Sequence, residues 1–295
     1  MKAEDSLSRR GATRLLGAHM SIAGGVHTAF QRAEKAGCTA LQIFTRNNMQ
    51  WETPPLAGGA SALFSAERKR TGIETVVAHS NYLINLASPS PPLRERSLRA
   101  MKVELTRAES LAIAYLVIHP GNHMGAGEEE GERLVAEALH MLLETMPSWR
   151  GMVLLETTAG QGTGLGATFE SLGRMRALAP RIGFCLDTCH VFAAGYDMRT
   201  SRACRDTLKR FDDTLGLGNL MLLHCNDSKG DLGSRLDRHA HIGKGFLGLN
   251  TFRNLLADDR LAAVPFIIET PKGKDRKGVD LDVINLATLR KLLPC

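Results

Sequence analysis

The 295-residue sequence has no CxxC pair, few aromatic residues, no long apolar run and no low-complexity linker. Each absence excludes something. Six cysteines are too dilute for a disulfide scaffold, and without a CxxC pair a thiolate zinc knuckle lacks its local ligands. Aromatics at 5% argue against an extended base-stacking platform. No window is apolar enough to span a bilayer. The opening MKAEDSLSRRGATRLLGAHMS carries Glu4 and Asp5 among its arginines and lacks the apolar centre of a signal peptide. These absences describe a soluble cytoplasmic protein from a reducing compartment, with no membrane partner. A flexible leader is expected over residues 1–14 and a single domain over 15–295. A net charge of +6 leans weakly toward an anionic partner such as nucleic acid.

What is present is a regular alternation. Short apolar runs occur at RLLGAH (14–19), ALQIFT (40–45), ETVVAH (74–79), YLVIH (115–119), GMVLLE (151–156), IGFCLD (182–187), NLMLLH (219–224) and PFIIE (265–269). Amphipathic charged segments separate them, the clearest helices being 93–114 and 131–146. Strands alternating with helices make an α/β protein with a parallel sheet. Eight such units fit a closed (β/α)8 TIM barrel. Periodicity cannot show closure, so an open doubly wound sheet stays in play.

The informative feature is how the runs end. His79, His119, Glu156, Asp187, His224 and Glu269 each terminate one, spaced 31 to 45 residues apart. In a parallel barrel all such ends face one rim, where these folds do their chemistry. Carboxylates gathered in one bowl repel and protonate unless cations neutralise them, and mixed N and O donors suit zinc or manganese better than magnesium or calcium. His190 lies three residues beyond Asp187, and Asp237 and His239 form an Asp-x-His pair after His224. Together His190, Asp237 and His239 make a three-ligand set with an open position, the pattern of a catalytic metal. Asp187 and His190 are thus expected to serve different metals, with Cys185 and Cys189 beside them as bystanders.

Taken together these segments resemble the endonuclease IV family of abasic-site DNA repair enzymes. HSNYLINLA (79–87), GFCLDTCH (183–190) and HCNDSKGDLGSRLDRH (224–239) look like its three signature segments. GAHMSIAGG (17–25), HPGNH (119–123), ETTAGQG (156–162) and IIETP (267–271) match in order, so the resemblance spans about residues 15 to 275. It implies a TIM barrel with three zinc ions, sometimes with manganese in part. His79 and His119 would hold one metal with Glu156. Glu156 would bridge to a second held by Asp187, His224 and Glu269. His190, Asp237 and His239 would hold the third. It further implies that Glu156 orients a bridging hydroxide and that Glu269 orients or deprotonates it. The implied reaction cuts duplex DNA 5′ to an abasic sugar, leaving a 3′-hydroxyl and a 5′-deoxyribose phosphate, and trims blocked 3′ ends. A bacterial-type, nucleoid-associated monomer is implied as well.

Tyr82 and Leu83 match residues that wedge into DNA at the lesion. Met49 stands where many relatives carry an arginine, and Thr157 where many carry an asparagine. Lys229 and Arg238 are placed to meet backbone phosphates. His19 and His123 could partner the ligands, His27 and His140 read as surface residues, and His241 as loop structure. The glycines of GQGTGLGA (160–167) imitate a dinucleotide fingerprint, but Glu156, Thr157 and Thr158 stand between strand and glycines. Two other functions share parts of the pattern. A sugar isomerase of the xylose isomerase type needs neither the Asp237-x-His239 site nor the Tyr82–Leu83 wedge. A non-catalytic DNA-lesion binder would be betrayed by a lost ligand, and none is lost.

Overall fold

All eight expected strands form, and they close. A computed structural model describes residues 14–179 and 181–294. Its parallel strands are β1 (Leu16–Met20), β2 (Ala40–Phe44), β3 (Thr75–His79), β4 (Tyr115–Ile118), β5 (Met152–Glu156), β6 (Ile182–Asp187), β7 (Leu220–His224) and β10 (Phe266–Ile268). Between the last two lie the short β8 (Asp227–Ser228) and β9 (His239–Ala240). The barrel runs β1-β10-β7-β6-β5-β4-β3-β2 and returns to β1 through the Gly17↔Ala40 register. The open-sheet alternative is thereby excluded. Strand boundaries fall within two residues of the expected ones.

Period-two alternation builds the inside of the barrel. Ala40, Val77, Val117, Leu154, Cys185, Leu222 and Ile267 form one buried apolar cluster there. Two residues further along the same strands, on the same inward side, stand Gln42, His79, His119, Glu156, Asp187, His224 and Glu269. On β1 the corresponding pair is Gly17 and His19. A Cβ on Gly17 would lie 2.1 Å from the Ala40 carbonyl oxygen, so only glycine lets β1 and β2 approach this closely.

Around the barrel run α1 (Thr28–Ala36), α2 (Ala60–Thr71), α3 (Pro91–Ser110), α4 (Glu128–Glu144), α5 (Phe169–Ala177), α6 (Thr188–Ala193), α7 (Ser201–Leu215), α8 (Leu249–Ala257) and α9 (Leu281–Arg290). The helix expected over 93–114 starts two residues earlier, because Pro91 and Pro92 suit a first turn that needs no N–H donors. It stops at Ser110, and Ala112 turns left-handed at φ 50°. The helix expected over 131–146 is α4, whose first turn carries Glu128, Glu129 and Glu130 facing the positive end of the helix dipole. No described helix is long and apolar enough to cross a membrane.

The leader expected over 1–14 lies outside the described residues except for Arg14. That residue is buried, and its guanidinium donates to the Leu256 and Asp258 carbonyls.

Candidate metal centre

The inward-pointing ends converge. His79 Nε2 and His119 Nε2 lie 3.2 Å and 3.1 Å from the same oxygen, Glu156 Oε2. The other oxygen, Glu156 Oε1, lies 2.9 Å from His224 Nδ1. Around that nitrogen stand Glu269 Oε2 at 3.2 Å and Asp187 Oδ2 at 3.9 Å. Two donor sets, His79–His119–Glu156 and Glu156–Asp187–His224–Glu269, thus share one carboxylate. A third set groups Asp187, His190 and His239, each offering a ligand atom within 4.8 Å of the others. Asp237 joins it at 3.1 Å from His190 Nε2 and 3.7 Å from His239 Nε2. Asp187 faces two donor sets at once, where the sequence had assigned it to one metal and His190 to another.

Three of the imidazoles are aimed by their other nitrogen. His79 Nδ1–H donates to the Ser80 carbonyl at 2.8 Å, His190 Nδ1–H to the Thr157 carbonyl at 2.8 Å, and His239 Nδ1–H to the Glu269 carbonyl at 3.2 Å. In the neutral ring each bond leaves Nε2 unprotonated and directed at the carboxylates, the usual way a histidine ligand is oriented. His190 Nε2 and His239 Nε2 are buried without a hydrogen-bond partner. Buried polar atoms rarely stay unpaired. Two such atoms with their lone pairs beside Asp187 and Asp237 fit a bound cation.

Electrostatics point the same way. Burial would lower the basicity of His190, but Asp187, Asp237 and Glu156 push its pKa well above the usual imidazole range. Burial opposes the same upward shift at His224, where Cys185, Glu269 and Glu156 outweigh it. Burial would raise Glu156 and Glu269, yet the surrounding imidazoles hold both well below the usual carboxylate range. At Asp237 burial is again overridden, by His190, and the pKa falls to about 2. A divalent metal bound among these carboxylates would compete with protons for the imidazole nitrogens.

The thiols stand apart. Cys185 Sγ comes within ligand distance of Glu156 and His224, but burial pushes its pKa up to about 12, and its side chain belongs to the apolar layer below the rim. Cys189, also pushed to about 12 by burial, directs its Sγ–H toward the Arg238 carbonyl. Neither offers a thiolate.

A family profile described as xylose isomerase-like TIM barrel matches residues 30–289. Probable endonuclease 4 of Chloroflexus aurantiacus is 50% identical over 94% of this chain and 97% of its own length. The Geobacter sulfurreducens protein of the same description is 48% identical over 94% of each. The crystal structure of endonuclease IV from Thermus thermophilus is similar with a TM-score of 0.82 and 36% identity, covering 94% of this chain and 98% of that one. The chain belongs to the endonuclease IV family.

A D-tagatose 3-epimerase-like protein, at 16% identity and a TM-score of 0.70, shares the barrel alone. In this endonuclease IV family member the rim also carries a cleft. A cleft of about 490 Å³ opens over the metal-binding side chains, with Tyr82, Lys229, Arg238 and Pro271 on its walls. Tyr82 is half exposed, its ring packed edge-on against His79 at 5.7 Å and Phe44 at 5.2 Å. Leu83 behind it is half-buried, its N–H held by Asn81 Oδ1 at 2.7 Å. Met49, 67% exposed, projects from the neighbouring 46–51 loop. Lys229 directly follows β8 and Arg238 directly precedes β9; both are exposed, joined by the Lys229 N–H to Arg238 carbonyl bond.

The remaining residues fall only partly where the sequence placed them: His140 and His241 do, and His123 does not. His123 does not partner a ligand: its Nδ1 accepts the Gly125 and Gly127 N–H groups and shapes its own loop. His241 accepts from Asn285 in a loop, and His140 is exposed on α4. The glycine-rich 160–167 segment folds back through an Asn122–Gly164 bridge, and its Gln161 and Gly164 line a separate pocket beside His119 and Asp237. Thr157 accepts the Asp187 N–H through its hydroxyl at 2.9 Å. Two buried amides were missed. Asn226 donates to Asp187 Oδ2 at 2.6 Å and accepts the Glu269 N–H at 2.8 Å. Gln42 sits among His19, His224 and Glu269. The signal for Gln42 was a polar residue at inward parity in an otherwise apolar strand.

Proposed function

We propose that this chain is a metal-dependent endonuclease that cuts duplex DNA 5′ to abasic sites and trims blocked 3′ ends. The observation that carries this reading is the trio of donor sets linked through Glu156 and Asp187, under a cleft rimmed by an exposed aromatic and two cations, in a member of this family. We assign zinc to the three sites, with manganese admissible at one or more. His79, His119 and Glu156 would hold the first ion. Glu156, Asp187, His224 and Glu269 would hold the second, and His190, Asp237 and His239 the third. Once bound, such ions supply positive charge to a phosphoryl transfer and a nucleophile at neutral pH.

The chain's own residues supply the rest. Glu156 spans the first two sets and fixes their separation. Glu269 Oε2 faces the same space and can hold or take a proton there. Tyr82, Leu83 and Met49 would fill the gap of a missing base, where opening the stack costs least. Lys229 and Arg238 would pair with phosphates and set register rather than sequence preference. We place the protein in the cytoplasm as a monomer, with residues 15–295 as one domain.

The test is a joint measurement of metal content and cutting. Purified protein is expected to carry about three transition-metal ions per chain and to nick an abasic-site duplex, with chelation abolishing the cut. Metal-replete protein that leaves this duplex intact but isomerises a sugar would overturn the reading.

A further inference from the structure

Gln42 is fully buried inside the barrel, on β2, and it is the only described side chain whose amide reaches both His224 and Glu269. Its oxygen accepts the His224 Nε2–H at 2.8 Å. Its nitrogen donates to Glu269 Oε1 at 2.6 Å and lies 2.9 Å from His19 Nδ1. His19 Nδ1 in turn lies 3.1 Å from the same Glu269 oxygen.

An amide has one accepting end and one donating end, and here both are committed. The accepting end requires a proton on His224 Nε2. In the neutral ring that leaves Nδ1 unprotonated, and Nδ1 is the atom that faces Glu156 Oε1 and Glu269 Oε2. The donating end occupies Glu269 Oε1 and turns Oε2 inward. One side chain therefore sets which nitrogen of His224 and which oxygen of Glu269 point at the shared space. His79, His190 and His239 are aimed by the backbone carbonyls of Ser80, Thr157 and Glu269. Unlike these three, His224 is aimed by a side chain, from a strand 182 residues away.

We propose that Gln42 is the positioning residue of the second metal site, presenting His224 through Nδ1 and Glu269 through Oε2. This rests on the metal assignment above. It predicts that this site, rather than the other two, weakens when the amide is lost.

Two variants separate the halves of the role. Gln42→Leu removes every bond at similar volume. Gln42→Glu keeps an acceptor for His224 Nε2–H but loses the donor to Glu269 and adds a like charge beside it. The first measurement is the ¹⁵N-resolved imidazole proton spectrum of zinc-loaded protein. The wild type and Gln42→Glu are expected to show a protected downfield proton on His224 Nε2, and Gln42→Leu to lose that protection. The second is the rate of zinc release to a coloured chelator. One of the bound ions is expected to leave about 10- to 100-fold faster in Gln42→Leu, the range typical for groups that orient a ligand, while the others keep their rates.

An unchanged His224 proton together with unchanged release would overturn the proposal, as would equal acceleration of all ions. If Gln42→Leu does not fold, Gln42→Glu decides alone: the proposal requires it to keep the His224 proton and to release one ion faster, and it fails otherwise. Neither readout depends on cutting DNA. Gln42 variants that show both effects, in a protein whose wild type does not nick abasic DNA, would sink the nuclease reading and leave this inference standing.

Discussion

Asp187 caps the helix that carries His190: its Oδ1 accepts the His190 N–H at 2.9 Å at the start of α6. The strand end and the next donor are thereby locked in one turn. The second oxygen, Oδ2, accepts from Asn226 and lies 3.5 Å from His239 Nε2 and 3.9 Å from His224 Nδ1. Asp187→Asn should keep an oxygen for the cap but lose the charge. Metal content is expected to fall below that of the wild type, with nicking reduced at least about 100-fold. Asp187→Ala loses the cap as well, and as metal-free protein it should be about 1 kcal/mol less stable than the Asn variant. Elemental analysis and denaturant melts check both; full metal retention by the Asn variant would contradict the assignment.

Glu269 has one oxygen tied up by neighbours and the other facing His224 Nδ1 at 3.2 Å. Glu269→Gln is predicted to lower the cutting rate by about 10²- to 10⁴-fold, the scale of a lost proton-handling group. Binding of an abasic duplex should stay within a few-fold of wild type by fluorescence anisotropy. Turnover at the wild-type rate would remove Glu269 from the reaction.

Met49 is a neutral, exposed tip on a loop that Asn81 ties to the Tyr82 segment. Replacing it by arginine adds a cation where DNA is expected to pass. Met49→Arg should tighten duplex binding at low salt and steepen the log–log salt dependence by about 0.9 per phosphate contacted. An unchanged slope would mean that this loop does not reach the DNA backbone.

The loops bearing Met49 and Tyr82 are joined beneath the surface by Glu104. Its Oε1 accepts from Arg46 Nε at 2.7 Å and from the Asn81 N–H at 3.2 Å, and its Oε2 accepts from Thr45. Asn81 in turn donates to the Gln50 carbonyl. Both members of the Arg46–Glu104 pair are 1% exposed. Breaking such a pair from one side costs about 3–5 kcal/mol because a buried charge is left alone. Glu104→Ala should show that loss in urea melts and should weaken abasic-duplex binding while leaving metal content intact. Undiminished DNA affinity would mean the two loops hold their shape without it.

Side-chain direction was the part of this protein that sequence alone determined. Hydrophobic alternation is local: a residue two positions beyond Val77, Leu154 or Leu222 must point the same way. The strand-ending His79, Glu156 and His224 were therefore legible as inward-facing groups, and eight apolar runs with helices between them described the barrel's units. Residue types in register then named the chemistry, because carboxylates and imidazoles gathered on one rim need cations.

Tertiary structure alone decided the rest. Closure depends on β1 meeting both β2 and β10, a property of strand tilt and register that no window of sequence carries. Asp187 faces two donor sets because helix α6 and the β8–β9 hairpin fold back over it, not because of its spacing. The tautomer of His224 is set from β2, across the barrel, through Gln42. Short-range periodicity specifies which face a side chain occupies; which groups meet on that face is fixed only when distant strands pack.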